Sequence, residues 1–314
     1  MSTARRRRGS RYAPSARAYR PGRSRIGCAG VTALAVLIGA VGGVAWLLQH
    51  PSAPAQASNR CSATAEDTAW ELSSAQADNA ALIALTSMRR GMPARAATIG
   101  LATALQESRL INIDYGDRDS VGLFQQRPSQ GWGTVEQIMD PVYSTGKFYD
   151  GLAGVDGYTE MAVTEAAQAV QRSAFPDAYA QHEPRSRVWA SALTGWSTAA
   201  LTCDLSDPDD DGSVEALTQR AARDLGDTVL VSADASDSAG SRLLLSTDDL
   251  AFVSGADPDR AAWAVAQWSV AVAADQRITE VRVADAVWTR SDGGWSTDTA
   301  TDPLPAGTVA VTLA

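Results

Sequence analysis

The longest uninterrupted apolar stretch of the chain lies near its beginning. Residues 26–48 form a run of 23 residues without a charged side chain. A helix rises about 1.5 Å per residue, so this run would be roughly 35 Å long, enough to cross the core of a bilayer. The pattern predicts one transmembrane helix over 26–48, preceded by a basic tail over 1–25 and followed by a Pro/Ala/Ser linker over 49–60.

The next region, 61–203, shows the spacing of amphipathic helices. Helices are predicted over 75–90, 94–108, 140–152, 160–172 and 184–195. A polar stretch rich in Gly, Asp, Asn and Ser interrupts them between 110 and 134. Long loops inside compact domains are often functional. We therefore expect 61–203 to be a mainly α domain with one functional loop.

An acidic linker over 204–212 (DLSDPDDDG) separates a second unit, 213–314. Its pattern predicts strands over 228–233, 242–246, 280–290 and 307–313, and a buried helix over 261–274. Ser291-Asp292-Gly293-Gly294 is a turn signal. The region is expected to be a small α+β domain with an interaction or structural role.

The charge is distributed unevenly. The chain has 27 basic and 36 acidic residues, and nine of the arginines fall within 1–25, where there is no acid. The rest of the chain therefore carries a formal charge of −18. Basic residues flank the cytoplasmic side of a membrane span, so the tail is expected inside the cell and the body outside, with the lipid bilayer as the partner of 26–48. A body this acidic would repel a phosphate backbone, which argues against a nucleic-acid partner.

Cleavage near Ala57 is the alternative to an anchor, because Ala55-Gln56-Ala57 resembles a signal-peptidase site and would release a secreted protein. The exported body contains two cysteines, Cys61 and Cys203, which export would allow to form a disulfide. The chain has only two histidines and three cysteines, so no metal site is predicted. No cofactor is expected either.

Glu107 is the leading candidate for chemistry. It lies at the end of the predicted helix 94–108, next to the polar loop. Partial burial and the negative end of the helix dipole would both raise the pKa of its carboxyl group. A raised pKa suits a general acid that works near neutral pH.

Two motifs connect this glutamate to a family. ATALQES (102–108) is followed, after a loop, by VGLFQQRPSQGWG (121–133). A Glu-Ser pair that ends a helix, with Gly-Leu-aromatic-Gln about 15 residues later, resembles lytic transglycosylases and goose-type lysozymes. The similarity spans residues 82 to about 195 and is greatest to membrane-anchored actinobacterial envelope proteins. It implies a mainly α lysozyme-like domain. With the small α+β C-terminal domain and the preceding transmembrane helix that the residue pattern predicts, this is the expected fold class.

The resemblance implies that the substrate is the glycan strand of peptidoglycan. Glu107 would protonate the glycosidic oxygen between N-acetylmuramic acid and N-acetylglucosamine, then accept a proton from the muramic 6-hydroxyl to give a 1,6-anhydro product. Ser108 would support the glutamate. Gln125 and Gln126 match the glutamine of the family motif and could bond sugar hydroxyls and N-acetyl groups. Trp132 could stack on a sugar ring.

The chain departs from the family at a later helix. Many transglycosylases carry Ala-Tyr-Asn-x-Gly there, whereas this chain has Gln171-Arg172-Ser173. Tyr179 could replace the missing tyrosine from a different backbone position. The departure leaves open a non-catalytic protein that binds glycan or a partner.

A hydrolytic muramidase is the other alternative. Hydrolysis usually requires a second carboxylate beside the scissile bond. Asp114, Asp117 and Asp119 lie in the loop after Glu107 and could supply it.

Overall fold

The computed structural model describes residues 59–314 except 174, 227–230, 235–240, 248–249 and 251–256, with the backbone alone at 231–234. These residues belong to one compact unit, Gln56–Ala314. The predicted basic tail, the predicted transmembrane segment 26–48 and the possible cleavage site at Ala57 lie outside the described residues. Within the described part, no helix combines the length and the apolar character needed to cross a membrane.

The described chain begins with a β-hairpin. Strands β1 (Arg60–Ala65) and β2 (Thr68–Ser73) pair with β3 (Leu201–Asp204) in an antiparallel sheet of order β2-β1-β3. Cys61 lies directly opposite Cys203 in the β1–β3 register, and the two form a disulfide. The predicted disulfide is thus confirmed. It joins the two ends of the first region.

Six helices lie between β2 and β3: α1 (Ser74–Arg89), α2 (Ala94–Ser108), α3 (Val135–Met139), α4 (Pro141–Ala153), α5 (Val163–Gln171) and α6 (Glu183–Leu193). Ser73 begins α1 with a capping box completed by Gln76. Pro93, which lacks a backbone N–H, is the N-cap residue of α2. Aromatic rings fill the interior, and Phe124 of the polar loop stacks on Phe148 of α4 with 4.6 Å between ring centroids. The loop is therefore attached to the helical core.

The C-terminal region contains helices α7 (Val214–Leu225), α8 (Pro258–Ala271) and α9 (Ala273–Gln276), and strands β4 (Val231–Asp234), β5 (Arg242–Ser246), β6 (Ile278–Val283), β7 (Ala286–Thr289), β8 (Gly294–Thr297) and β9 (Thr308–Leu313). The strands form an antiparallel sheet of order β4-β5-β9-β6-β7-β8. The predicted strand 280–290 is two strands, because the chain turns at Ala284, which adopts a φ of 49°. The predicted turn at 291–294 joins β7 to β8 and places Trp288 opposite Trp295.

Buried polar contacts join the C-terminal region to the first region. The side chain of Gln267 in α8 accepts hydrogen bonds from the backbone N–H groups of Ala200 and Leu201. It also donates to the carbonyl groups of Ala192 and Ser197. Four satisfied hydrogen bonds on a fully buried amide make the placement of α8 specific.

A second connection is ionic. Arg220 of α7 donates to both carboxylate oxygens of Asp78 in α1, at 2.6 and 2.8 Å, and to Asp224 at 2.7 Å. Trp268 of α8 donates to the same Asp224 at 2.9 Å. Helix α1 of the first region and helices α7 and α8 of the C-terminal region therefore share one polar network.

The predicted fold class is wrong. We expected a mainly α lysozyme-like domain, a small α+β domain and a preceding transmembrane helix. The described residues instead contain nine α-helices and two antiparallel sheets, and none of those helices could span a membrane. The first region has its own sheet because β3, distant in sequence, pairs with β1.

Candidate active site

Glu107 lies in the last turn of α2, where the helix meets the polar loop. The helix ends at Arg109 and Leu110, which both adopt left-handed backbone conformations with φ of 58° and 60°. Upstream, a Cβ on Gly100 would lie 2.5 Å from the hydroxyl of Tyr149. The small residue thus lets α4 pack directly on α2.

Two side chains lie beside the carboxyl group of Glu107. The hydroxyl of Tyr179, which is fully buried, donates to Oε1 at 2.7 Å. The amide of Gln171, the last residue of α5, lies beside this carboxyl group in the cleft and favours its ionised form. That amide also donates to the carbonyl of Phe124 at 2.8 Å. The carboxyl group is therefore oriented by partners from α5 and from the segment that precedes α6.

Burial raises the pKa of Glu107 above the ordinary glutamate value. The hydrogen bond from Tyr179 and the amide of Gln171 act in the opposite direction, because they stabilise the ionised form, but burial is the larger effect. Burial, followed by the neighbouring Glu107, raises the pKa of Tyr179 as well, so Tyr179 remains a hydrogen-bond donor at neutral pH. The site holds a carboxyl group suited to proton donation.

Glu107 lines an open cleft of about 460 Å³. The polar loop and the end of α5 form its walls, and Trp132 and Arg172 are among the lining residues. A further hollow of about 610 Å³ shares Trp132, Gln171 and Arg172 with it. Because the two hollows share these lining residues they are adjacent, and together they are called the groove.

Size alone does not distinguish this cleft. Another cavity of about 460 Å³ lies between α1 and the α8–α9 region, and its lining includes Asp78. The carboxylate of Asp78 is already bound by Arg220. The chemistry of Glu107, rather than volume, identifies the candidate site.

Three of the predicted substrate-binding residues donate hydrogen bonds to backbone carbonyl groups of the protein itself. The hydroxyl of Ser108 lies 2.7 Å from the carbonyl of Leu123, to which it donates. The amide of Gln126 is buried and donates to the carbonyl of Ser144 at 3.0 Å. Gln125 lines the cleft, and its amide donates to the carbonyl of Tyr115 at 3.2 Å. Their contact with sugar stays a prediction.

The candidates for a second carboxylate differ in their surroundings. Asp119 accepts hydrogen bonds from Arg127 at 2.8 Å and from the backbone N–H of Ser129 at 2.8 Å. The Arg127 guanidinium, followed by the bonds from Ser129, holds the pKa of Asp119 well below its usual range. Asp117 is exposed and lines the cleft with Glu107, whereas Asp114 is exposed elsewhere on the loop.

In the sequence Gln171 marks only a departure from a family motif, whereas in the structure it favours the ionised form of Glu107. The signal for this role was present, because Gln171 lies where the motif has its tyrosine. The tyrosine hydroxyl comes instead from Tyr179, eight residues later, beside the short 3-10 helix Ala180–His182. The partners of the glutamate thus come from two successive segments.

In the described part of the chain, no group of three or more His, Cys, Asp or Glu side chains is placed to hold a metal ion. Compared with known proteins, the chain matches no protein-family model and no curated relative.

Proposed function

We propose that this protein cleaves the glycan strands of peptidoglycan outside the cytoplasm, as a lytic transglycosylase-like enzyme with Glu107 as its acid and base. The observation that carries the proposal is a carboxyl group of raised pKa that lines an open polar cleft and accepts a hydrogen bond from a buried tyrosine. The disulfide Cys61–Cys203 supports an oxidising, extracytoplasmic location.

The chemistry requires one carboxyl group that acts twice. Protonated Glu107 gives its proton to the glycosidic oxygen as the bond from that oxygen to C1 of the muramyl sugar breaks. The resulting carboxylate then takes the proton of the muramyl 6-hydroxyl, whose oxygen forms the new bond to C1. No water is consumed, and Glu107 ends protonated again.

The surroundings of Glu107 fit both steps. Burial favours the protonated form that the first step needs. The hydroxyl of Tyr179 and the amide of Gln171 stabilise the carboxylate that exists between the steps. Because Tyr179 donates to Oε1, the other oxygen is left to carry the transferred proton.

The hydrolytic alternative depends on Asp117, the candidate second carboxylate that lines the cleft. Asp119 is less suited to this role because Arg127 and Ser129 already bind both of its oxygens. Products distinguish the mechanisms, since a muramidase adds water to the new end and a transglycosylase does not.

Digestion of purified sacculi, with the released muropeptides identified by mass spectrometry, tests the proposal. The wild-type protein should release 1,6-anhydromuramyl products, one water lighter than hydrolysis products. Glu107→Gln keeps the shape and the hydrogen-bonding capacity of the side chain but not its proton, and should reduce release by roughly 10²–10⁴-fold. Glu160→Gln, at an exposed glutamate, is the matched control and should be unchanged.

Other outcomes identify the alternatives. Hydrated products lost in Asp117→Asn would indicate a muramidase. No release by a folded wild-type protein would contradict both enzymatic mechanisms and favour a glycan-binding protein.

A further inference from the structure

The lining of the cleft has three arginines against two acidic residues, Glu107 and Asp117, although the body of the chain has twice as many acidic as basic residues. Three arginines, Arg118, Arg127 and Arg172, line the cleft together with Glu107. Local positive charge on an acidic surface favours an anionic ligand at that place. Binding of a neutral sugar would not by itself require positive charge in the cleft.

The three arginines differ in whether a neighbouring carboxylate neutralises the charge of the guanidinium group. Arg127 is bound by Asp119 at 2.8 Å. Arg118 has Asp117 at 3.8 Å, with side chains that are 70% and 89% exposed, so water screens that pair strongly. Arg172 forms no ion pair with a carboxylate among the residues that the structure describes. Arg172 is therefore the guanidinium most available to a ligand.

Arg172 also has a defined position relative to the candidate chemistry. It directly follows Gln171, which lies beside Glu107, and caps the C-terminus of α5 with a φ of 52°. It lines both the part of the groove that contains Glu107 and the hollow beyond it. A ligand that fills the cleft would therefore lie beside both Glu107 and Arg172.

We propose that Arg172 binds a carboxylate of the substrate, so that the groove selects glycan strands whose muramyl residues carry a negative charge. A guanidinium can hold a carboxylate through two parallel N–H···O bonds, which gives orientation as well as affinity. The inference rests on the proposed function for the class of substrate. The carboxylate has two possible sources: the stem peptide, or the lactyl group that is freed when the stem peptide is removed.

Binding to the Glu107→Gln protein tests this without turnover. The probes are muramyl oligosaccharides with stem peptides, the same oligosaccharides with the peptide carboxylates converted to amides, peptide-free oligosaccharides with a free lactyl carboxylate, and a neutral chito-oligosaccharide of equal length. Adding Arg172→Gln should weaken binding of a carboxylate-bearing probe about tenfold and leave the chito-oligosaccharide unchanged. Arg172→Lys, which keeps the charge, should recover part of the affinity.

Arg109→Gln is the matched control, because Arg109 is also an exposed arginine at a left-handed helix C-cap but does not line the cleft. It should bind every probe as the parent does. The difference between the parent and Arg172→Gln should shrink at high salt, as expected for a charge contact that is partly exposed to solvent. Equal melting temperatures of the variants would exclude a folding effect.

The probes separate the two sources. If Arg172→Gln weakens binding of the stem-peptide probe but not of its amidated form, the carboxylate belongs to the stem peptide. If Arg172→Gln weakens binding of the peptide-free probe alone, the carboxylate is that of the lactyl group. Equal weakening for all probes, or none for any, would overturn the proposal. Sacculus digestion reports independently on catalysis, so a protein that binds the charged probes without cleaving sacculi would refute the enzymatic proposal and leave this one standing.

Discussion

At the scale of single residues, Glu107 is controlled by opposing effects. Burial raises its pKa, and the hydrogen bond from Tyr179 and the amide of Gln171 limit the rise. The balance matters because a general acid must be protonated in the first step and ionised before the second. These two residues are thus expected to set the pH range of activity.

Tyr179→Phe tests this balance. The substitution keeps the buried ring but removes the donor that favours the ionised carboxylate, so the pKa of Glu107 should rise further. The limb of the pH–rate profile on which activity falls with increasing pH should move to higher pH. The rate should drop about 10–100-fold, because the carboxylate loses orientation and stabilisation.

A pH–rate profile of muropeptide release provides the measurement. Tyr115→Phe, at a tyrosine that is 69% exposed, is the control and should leave the profile unchanged. A limb that stays in place in Tyr179→Phe would show that this hydrogen bond does not control the titration of Glu107.

At the scale of secondary-structure elements, close packing of α2 on α4 positions the glutamate. Gly100 makes this possible, since a Cβ there would lie 2.5 Å from the hydroxyl of Tyr149 and 3.0 Å from Ile83. The same hydroxyl donates to the carbonyl of Ile83 at 3.0 Å. The contact is tight and polar, so it has little capacity to accommodate extra volume.

Two glycine substitutions should therefore have opposite effects. Gly100→Ala should destabilise the fold by about 1–3 kcal/mol, because the added methyl group displaces Tyr149. Gly146→Ala, in α4 with nothing within 4 Å of the added Cβ, should stabilise by about 0.5–1 kcal/mol, because alanine loses less backbone entropy on forming a helix. Urea unfolding of both variants measures this, and equal effects would contradict the packing argument.

At the scale of the whole molecule, the two regions separated in sequence by the acidic linker are joined through Gln267. Its amide satisfies backbone groups on both sides of the bend between α6 and β3. Removal of this amide would leave the N–H groups of Ala200 and Leu201 and the C=O group of Ser197 without this partner. The C=O group of Ala192 would keep its hydrogen bond from the backbone N–H of Gly195 at 2.9 Å. Unsatisfied buried groups cost about 1–3 kcal/mol each.

Gln267→Leu should accordingly lower the free energy of unfolding by several kcal/mol, about 3–5 after relaxation. Gln219→Leu, at an exposed glutamine of α7, should change it by less than about 0.5 kcal/mol. Unfolding followed by tryptophan fluorescence and by far-UV circular dichroism should give one coincident transition in the wild-type protein. Two separate transitions would show that the regions fold independently.

Much of the architecture follows from local pattern. The five predicted helices of the first region correspond to α1, α2, α4, α5 and α6, since apolar spacing and start and stop signals are features of neighbouring residues. The hairpin of β1 and β2 was missed, because its short strands contain small and polar residues and depend on a pairing with β3 about 140 residues away. Strands that depend on such a distant partner are hard to recognise from the neighbouring residues alone.

The sequence by itself determined the helices, the cysteine pair and the choice of Glu107, because periodicity, residue scarcity and a helix-end carboxylate can each be read locally. Only the tertiary structure decided what surrounds that carboxylate. Tyr179 reaches Glu107 across 72 positions, and Asp119 is tied to Arg127. The tertiary structure also joins the two predicted domains into one compact unit with two sheets. These outcomes depend on which distant side chains meet in space, and no local pattern of the sequence records that.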